Sequence, residues 1–249
     1  MKQIKYRHQI KHAKLPIVPW GDTSLKHLGI FRQKALMENA FYVIPVTDEL
    51  FEVFKPRLNR DNVLVTPSEK HITLLFNRIS QGRYPNFMFI LPIRNIKRAY
   101  RLIPEKWRVN PPANIMYELL LSDQATADEL MPKFLKLNGN KCIRLCCQSS
   151  EISLQSYLDT GKIIWVKQIP EIIESVDINW LRSMRSECEN SSVPYYFDIN
   201  ERTSKIPEDL LIKQYPDNRM RAIYDVMNTP IKPKYRTVGF SLKDLMGDA

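Results

Sequence analysis

Residues 86–93 read NFMFILPI and residues 114–121 read NIMYELLL, with the basic stretch RNIKRAYRLIPEKWR (94–108) between them. The two flanking runs are short and almost continuously apolar, the composition of strands buried on both faces. The stretch between them changes period. Ile96, Ala99, Tyr100 and Ile103 recur at helical spacing, which places an amphipathic helix between two buried strands. Strand, helix, strand is the unit of a parallel sheet.

The same alternation continues outward. FYVIPV (41–46), KCIRLCC (141–147), KIIWVKQ (162–168) and VPYYFDI (193–199) read as further strands. Helical patterns cover 68–79, 126–137, 150–158 and 178–190. The fold class expected is α/β: a partial (β/α) barrel of about six parallel strands. The barrel is assigned to residues 39–199, with a basic N-terminal arm at 1–38 and a polar, turn-rich C-terminal extension at 200–249.

Composition narrows the function classes. Of 249 residues only 7 are glycine, and neither GxGxxG nor GxxxxGK[ST] occurs. Dinucleotide and P-loop sites need glycine where backbone approaches phosphate, so a barrel is preferred to a dinucleotide fold. No apolar run approaches the ~18 residues of a membrane span, and no apolar stretch follows the basic N-terminus as in a secretory signal. The four cysteines (Cys142, Cys146, Cys147 and Cys188) suggest no disulfide framework. A cytoplasmic protein with reduced thiols is expected. Lys and Arg total 37 against 27 Asp and Glu, a net charge of +10, which favours an anionic partner, nucleic acid above all.

Candidate contact residues follow from that charge. Arg94, Lys97, Arg98 and Arg101 recur at i, i+3, i+4 and i+7, which would align them on one helix face. Tyr100 and Trp107 lie close enough in sequence to stack on bases. Lys2, Lys5, Arg7, Lys11 and Lys14 of the arm extend the basic surface. In a barrel the chemistry sits at strand C-termini, so Asp48, Glu118, Asp123 and Asp198 are the carboxylates from which a catalytic site could be built. His8 and His12 lack a third ligand and a HExxH context. Cys142 and Cys146, on one strand, would stand about 13 Å apart, too far to share a metal. No metal site and no cofactor are expected.

Read together, these segments resemble a phage and bacterial family of radical-SAM-like proteins of unknown function. WLRSMRSECENSSVPYYF (180–197) is the closest stretch; NIMYELLLSDQATADELMP (114–132), FILPIRN (89–95) and VTDELF (46–51) are similar to other family segments in order and spacing. The resemblance runs from about residue 40 to 198 and implies a partial (β/α) barrel. In the family, three clustered cysteines near the N-terminus are expected to ligate a 4Fe–4S cluster that cleaves S-adenosylmethionine. Here no cysteine precedes Cys142. Polar strand-end positions depart as well: Ile93 precedes Arg94, Gln148 follows Cys147, and Lys167-Gln168-Ile169-Pro170 replaces a glycine-rich end. The apolar positions persist. The expectation is a non-catalytic barrel that acts by binding nucleic acid or a host protein. The competing expectation is an enzyme with a site rebuilt at the same strand ends.

An iron–sulfur site cannot assemble without its thiolates. Anaerobic reconstitution with iron and sulfide is therefore expected to leave the protein without a cluster. Stoichiometric iron with a thiolate charge-transfer band would overturn that expectation.

Overall fold

The computed structural model describes residues 9–12, 40–45, 57–58, 64–65, 69–82, 87–146, 151–169, 177–197, 206–216 and 218–219. Its strands are β1 (Gln9–His12), β2 (Ala40–Pro45), β3 (Arg57–Leu58), β4 (Leu64–Val65), β5 (Phe87–Ile93), β6 (Ile115–Leu121), β7 (Asn140–Leu145), β8 (Trp165–Gln168) and β9 (Tyr195–Phe197). Its helices are α1 (Glu69–Ser80), α2 (Ile96–Leu102), α3 (Glu105–Val109), α4 (Gln124–Phe134), α5 (Gln155–Leu158) and α6 (Ile178–Asn190), followed by a 3-10 turn at Glu208–Leu210.

Seven strands form one sheet in the order β1-β2-β5-β6-β7-β8-β9. Every neighbouring pair in it is parallel. The sheet is open, with β1 and β9 at its edges. β3 and β4 make a small antiparallel pair apart from it. The α/β class and the parallel sheet match the sequence reading, and β2 and β5 to β9 are the strands read from the apolar runs. β1 was not expected, because QIKH carries no alternation to mark a strand and takes its conformation from pairing with β2.

Side-chain alternation along the parallel strands sorts the core into two clusters. Phe87, Phe89, Leu91 and Ile93 of β5 and Ile115, Tyr117, Leu119 and Leu121 of β6 pack with Ile143 and Leu145 of β7. They meet Leu75 and Phe76 of α1, Ala99 of α2, Met131 and Phe134 of α4, and Leu181 and Met184 of α6. Met88, Ile90, Met116, Cys142 and Trp165 point the other way and form a second cluster that includes no residue of these helices. One sheet face is thus the helix face. The other is lined by the alternate strand positions, with Ala113, Ile164 and Tyr215 packed against them, and it carries the charged side chains described below.

Local signals explain where the helices begin. The Asn95 side chain accepts from the Arg98 backbone N–H at 3.0 Å, Asp123 from Thr126 at 2.7 Å, and Asp177 from Asn179 at 2.7 Å. Each satisfies a first-turn donor that has no partner within its helix. The turn into β7 needs Gly139, whose φ is +102° and whose missing Cβ would lie 2.7 Å from Pro111 Cγ. A side chain there would be strained in backbone and blocked in space.

Part of the sequence read as a separate extension belongs to this fold. Ile206 and Leu210 join the helix-side core. Residues 212–214 run antiparallel along β9: Phe197 N–H donates to Ile212 O at 2.7 Å, and Gln214 N–H to Tyr195 O at 3.1 Å. The Trp165 indole N–H reaches Gln214 O at 3.0 Å, and Tyr215 packs on the Trp165 and Tyr196 rings. The edge strand is therefore covered rather than left as an open template.

Trp180 anchors α6. Its ring is 5% exposed and its indole N–H donates to Ile152 O at 3.0 Å. Trp180→Ala removes that packing and leaves the Ile152 carbonyl unmet, with an expected loss of about 3–5 kcal/mol in urea denaturation. A change below about 0.5 kcal/mol is what an exposed ring would give.

Candidate functional site

The non-helix face of the sheet holds a buried charge cluster. Glu118 lies in the middle of β6, opposite Cys142 of β7. Arg144, two residues further along β7, stands opposite Lys167 of β8. All three charged side chains therefore project from the same face on three adjacent strands. Lys167 Nζ makes an ion pair with Glu118 Oε1, and Arg144 Nε lies 3.2 Å from Oε2. The Cys142 thiol donates to Oε1 at 3.9 Å. The Lys167 ammonium also sits 4.9 Å from the centroid of the Trp165 ring, a cation–π distance. Glu118 is 2% exposed.

Burial alone would raise the Glu118 pKa. The charges of Lys167 and Arg144 outweigh it, aided by hydrogen bonds from Lys167 and Cys142, and hold the carboxyl below its ordinary value of 4.5. Burial, and after it the charge of Glu118, pushes the Cys142 thiol up, so it stays protonated and a poor nucleophile. A general acid or base working near neutrality needs a carboxyl raised towards that pH. Glu118 is shifted the opposite way, with both oxygens engaged. The two cations hold the carboxylate in its ionised form.

Asp123, the second barrel-mouth candidate, is a helix cap. Besides the Thr126 N–H it accepts from Ser122 Oγ at 2.6 Å and Thr126 Oγ1 at 2.9 Å. The Ser122 hydroxyl first, then the two Thr126 bonds, lower its pKa. Asp48 and Asp198 lie outside the described residues, as do Lys2, Lys5, Arg7, Lys14 and His8. Lys11 and His12 belong to β1, so His12 stands on a strand and not on a helix. Cys142 is buried on the charged face of the sheet, whereas Cys188 is buried among the helices with its thiol pushed up to about 12 by burial. They lie on opposite sides of the sheet. Among the described residues no three His, Cys, Asp or Glu side chains converge as metal ligands.

The basic run 94–108 divides in a way its spacing does not show. Asn95 caps α2, so Arg94 precedes the helix, at the end of β5, and the expected four-residue helical face loses its first member. Within α2, Ile96 and Ala99 are buried against the core. Lys97 and Arg101 are exposed and Arg98 is half-buried. Trp107 is a correction: it is 1% exposed, donates to Ser80 Oγ at 3.0 Å and packs on Phe76. Its place in the core removes it from any stacking surface.

The fold instead adds cations from elsewhere. A shallow surface cleft of about 420 Å³ is lined by Ile96, Lys97 and Tyr100 of α2 together with Lys133 and Lys136. Lys133 is in the last turn of α4 and Lys136 just beyond it, positions that the negative helix end favours for cations. Sequence reading missed both because they lie more than 30 residues from Lys97. It also missed Arg144 and Lys167 as partners of Glu118. Their signal was available: a basic residue two positions after a buried Cys142 or Trp165 shares that residue's face of the strand.

Removing the shared carboxylate should leave two cations buried without it. Glu118→Gln is expected to destabilise the fold by about 3–5 kcal/mol at neutral pH. A carboxyl lowered by folding contributes stability that is full above 4.5 and is lost as pH falls through its folded value. The gap between the parent protein and Glu118→Gln should therefore narrow below that pH in urea titrations. A gap that stays constant down to about pH 2.5 would remove the carboxylate from the account.

Known protein families, curated proteins and solved structures offer no match to this chain.

Proposed function

We propose that this protein is a phage-type, radical-SAM-like partial (β/α) barrel without its cluster, and that it acts by binding nucleic acid through the outer helix layer. The barrel reading is supported by parallel strands that follow one another in chain order with the packed helices on one face, the winding of a (β/α) barrel. The face that would line such a barrel carries Glu118 held between Arg144 and Lys167.

The observation that carries the binding function is the gathering of cations on one side of the helix layer. Lys97 on α2 and Lys133 and Lys136 at the end of α4 surround one cleft, with Arg101 exposed on the same helix as Lys97. Phosphates that meet such groups release counterions, so affinity falls with salt. Among the described residues no sequence-reading module stands on this face, and binding of weak sequence preference follows.

Fluorescence anisotropy with labelled oligonucleotides across a salt series tests this. Replacing Lys97, Arg101 and Lys136 by Ala should weaken binding uniformly across sequences and lower the salt slope by up to about 3 units. Absence of any retention of DNA or RNA at ~50 mM salt would reject nucleic acid and make a host protein the leading partner.

A further inference from the structure

We infer that the cleft between α2 and α4 seats one nucleotide of a single strand, its base against Tyr100 and its phosphates among Lys97, Lys133 and Lys136. The inference rests on the nucleic-acid reading above and specifies the form of nucleic acid that this surface takes.

The cleft surface is almost wholly apolar, and the lysines beside it line it with their stems. Ile96 and the half-buried Tyr100 form the floor, and Tyr100 also packs against the core, which fixes its ring in place. Three exposed lysines form the rim. The carboxylate beside them is Glu129, paired with Lys133 at 2.9 Å and lowered in pKa by Lys133 first and also by the charge of Lys97. Among the described residues, the three lysines that line the cleft outnumber the Glu129 carboxylate paired with one of them. The Lys133–Glu129 pair is solvent-exposed, and such pairs hold their partners weakly enough to exchange for a phosphate.

Helix stability accounts for part of this arrangement and not the rest. Lys133 and Lys136 suit the C-terminal end of α4. Lys97, by contrast, is the second residue of α2, and a cation in a first turn opposes the helix dipole. Its placement beside two other lysines adds like-charge repulsion, which an anion in the cleft would relieve. An aromatic ring at the base of a cationic groove is the arrangement that holds single strands: bases stack on the ring and the groove tracks the backbone. A duplex would present its phosphates but keep its base faces stacked inside. An acidic polypeptide would answer the lysines but leave the ring unused. The volume of about 420 Å³ falls in the range of small-ligand sites.

The test uses the full chain, single-stranded and duplex oligonucleotides of equal length, and 2-aminopurine in the single strand as a stacking reporter. Tighter binding of the single strand is expected, with quenching of 2-aminopurine. Tyr100→Leu should weaken single-strand binding about five- to 150-fold and abolish the quenching, while leaving duplex binding unchanged. Tyr100→Phe should retain both properties, and its thermal unfolding, compared with that of Tyr100→Leu, separates loss of the ring from loss of the fold. Lys133→Ala with Lys136→Ala should lower the single-strand salt slope by up to about 1.4 units. Equal affinity for both forms, indifferent to Tyr100→Leu, would overturn the inference and leave nucleic-acid binding standing. No binding of either form would overturn both. Competition by poly-glutamate that fails in the lysine variants, with no 2-aminopurine quenching, would overturn the inference in favour of an acidic protein partner.

Discussion

Glu118 is held from two strands at once. Its carboxylate on β6 engages Arg144 of the adjacent β7 and reaches across that strand to Lys167 on β8. Adjacent strands stand about 4.8 Å apart, so the long lysine stem is what allows the second contact. The arrangement depends on register. A slip of one residue in β6 would turn Glu118 into the apolar helix side and break both ion pairs. Buried ion pairs contribute little net stability relative to an apolar replacement, and their best-attested role is to specify one arrangement among several. Here the cluster discriminates among alignments of three parallel strands, of which β6 is otherwise an unbroken apolar run.

The same uniformity explains what was legible in the sequence. β5 and β6 are buried along their whole length on both faces, so continuous runs such as FMFILPI announced them without alternation. The helix over Ile178–Asn190 was readable from Leu181, Met184 and Cys188 on one side. β1 was not readable, since four residues of mixed polarity become a strand only through a neighbour. Trp107 misled for a related reason. It lies in a basic stretch, yet the five-residue helix α3 turns it into the core, and local charge density carries no information about that turn.

The candidate surface was half legible. The α2 cations were visible as a run, but a run is one-dimensional and the cleft is not. Lys133 and Lys136 join Lys97 only because α2 and α4 pack side by side over β5 and β6. Glu118 was visible as a carboxylate within an apolar strand. Its role followed only when Arg144 and Lys167 were placed in register with their neighbours. The two charged regions divide the molecule's electrostatics. The inner one is buried and holds one carboxylate between two cations, and the outer one keeps its lysines exposed.

The covered edge of β9 has a consequence for the solubility of shortened forms. Ile212 O and the Gln214 backbone and side chain occupy hydrogen-bonding groups of Tyr195 and Phe197. Cleavage by a protease before Ile212, or a truncation made there for convenience, would uncover the edge and the ring of Trp165 together. Bare strand edges pair with one another. A fragment trimmed to the apparent α/β unit would thus be prone to form fibrous or disordered assemblies through that edge, although every helix and strand of the unit was retained.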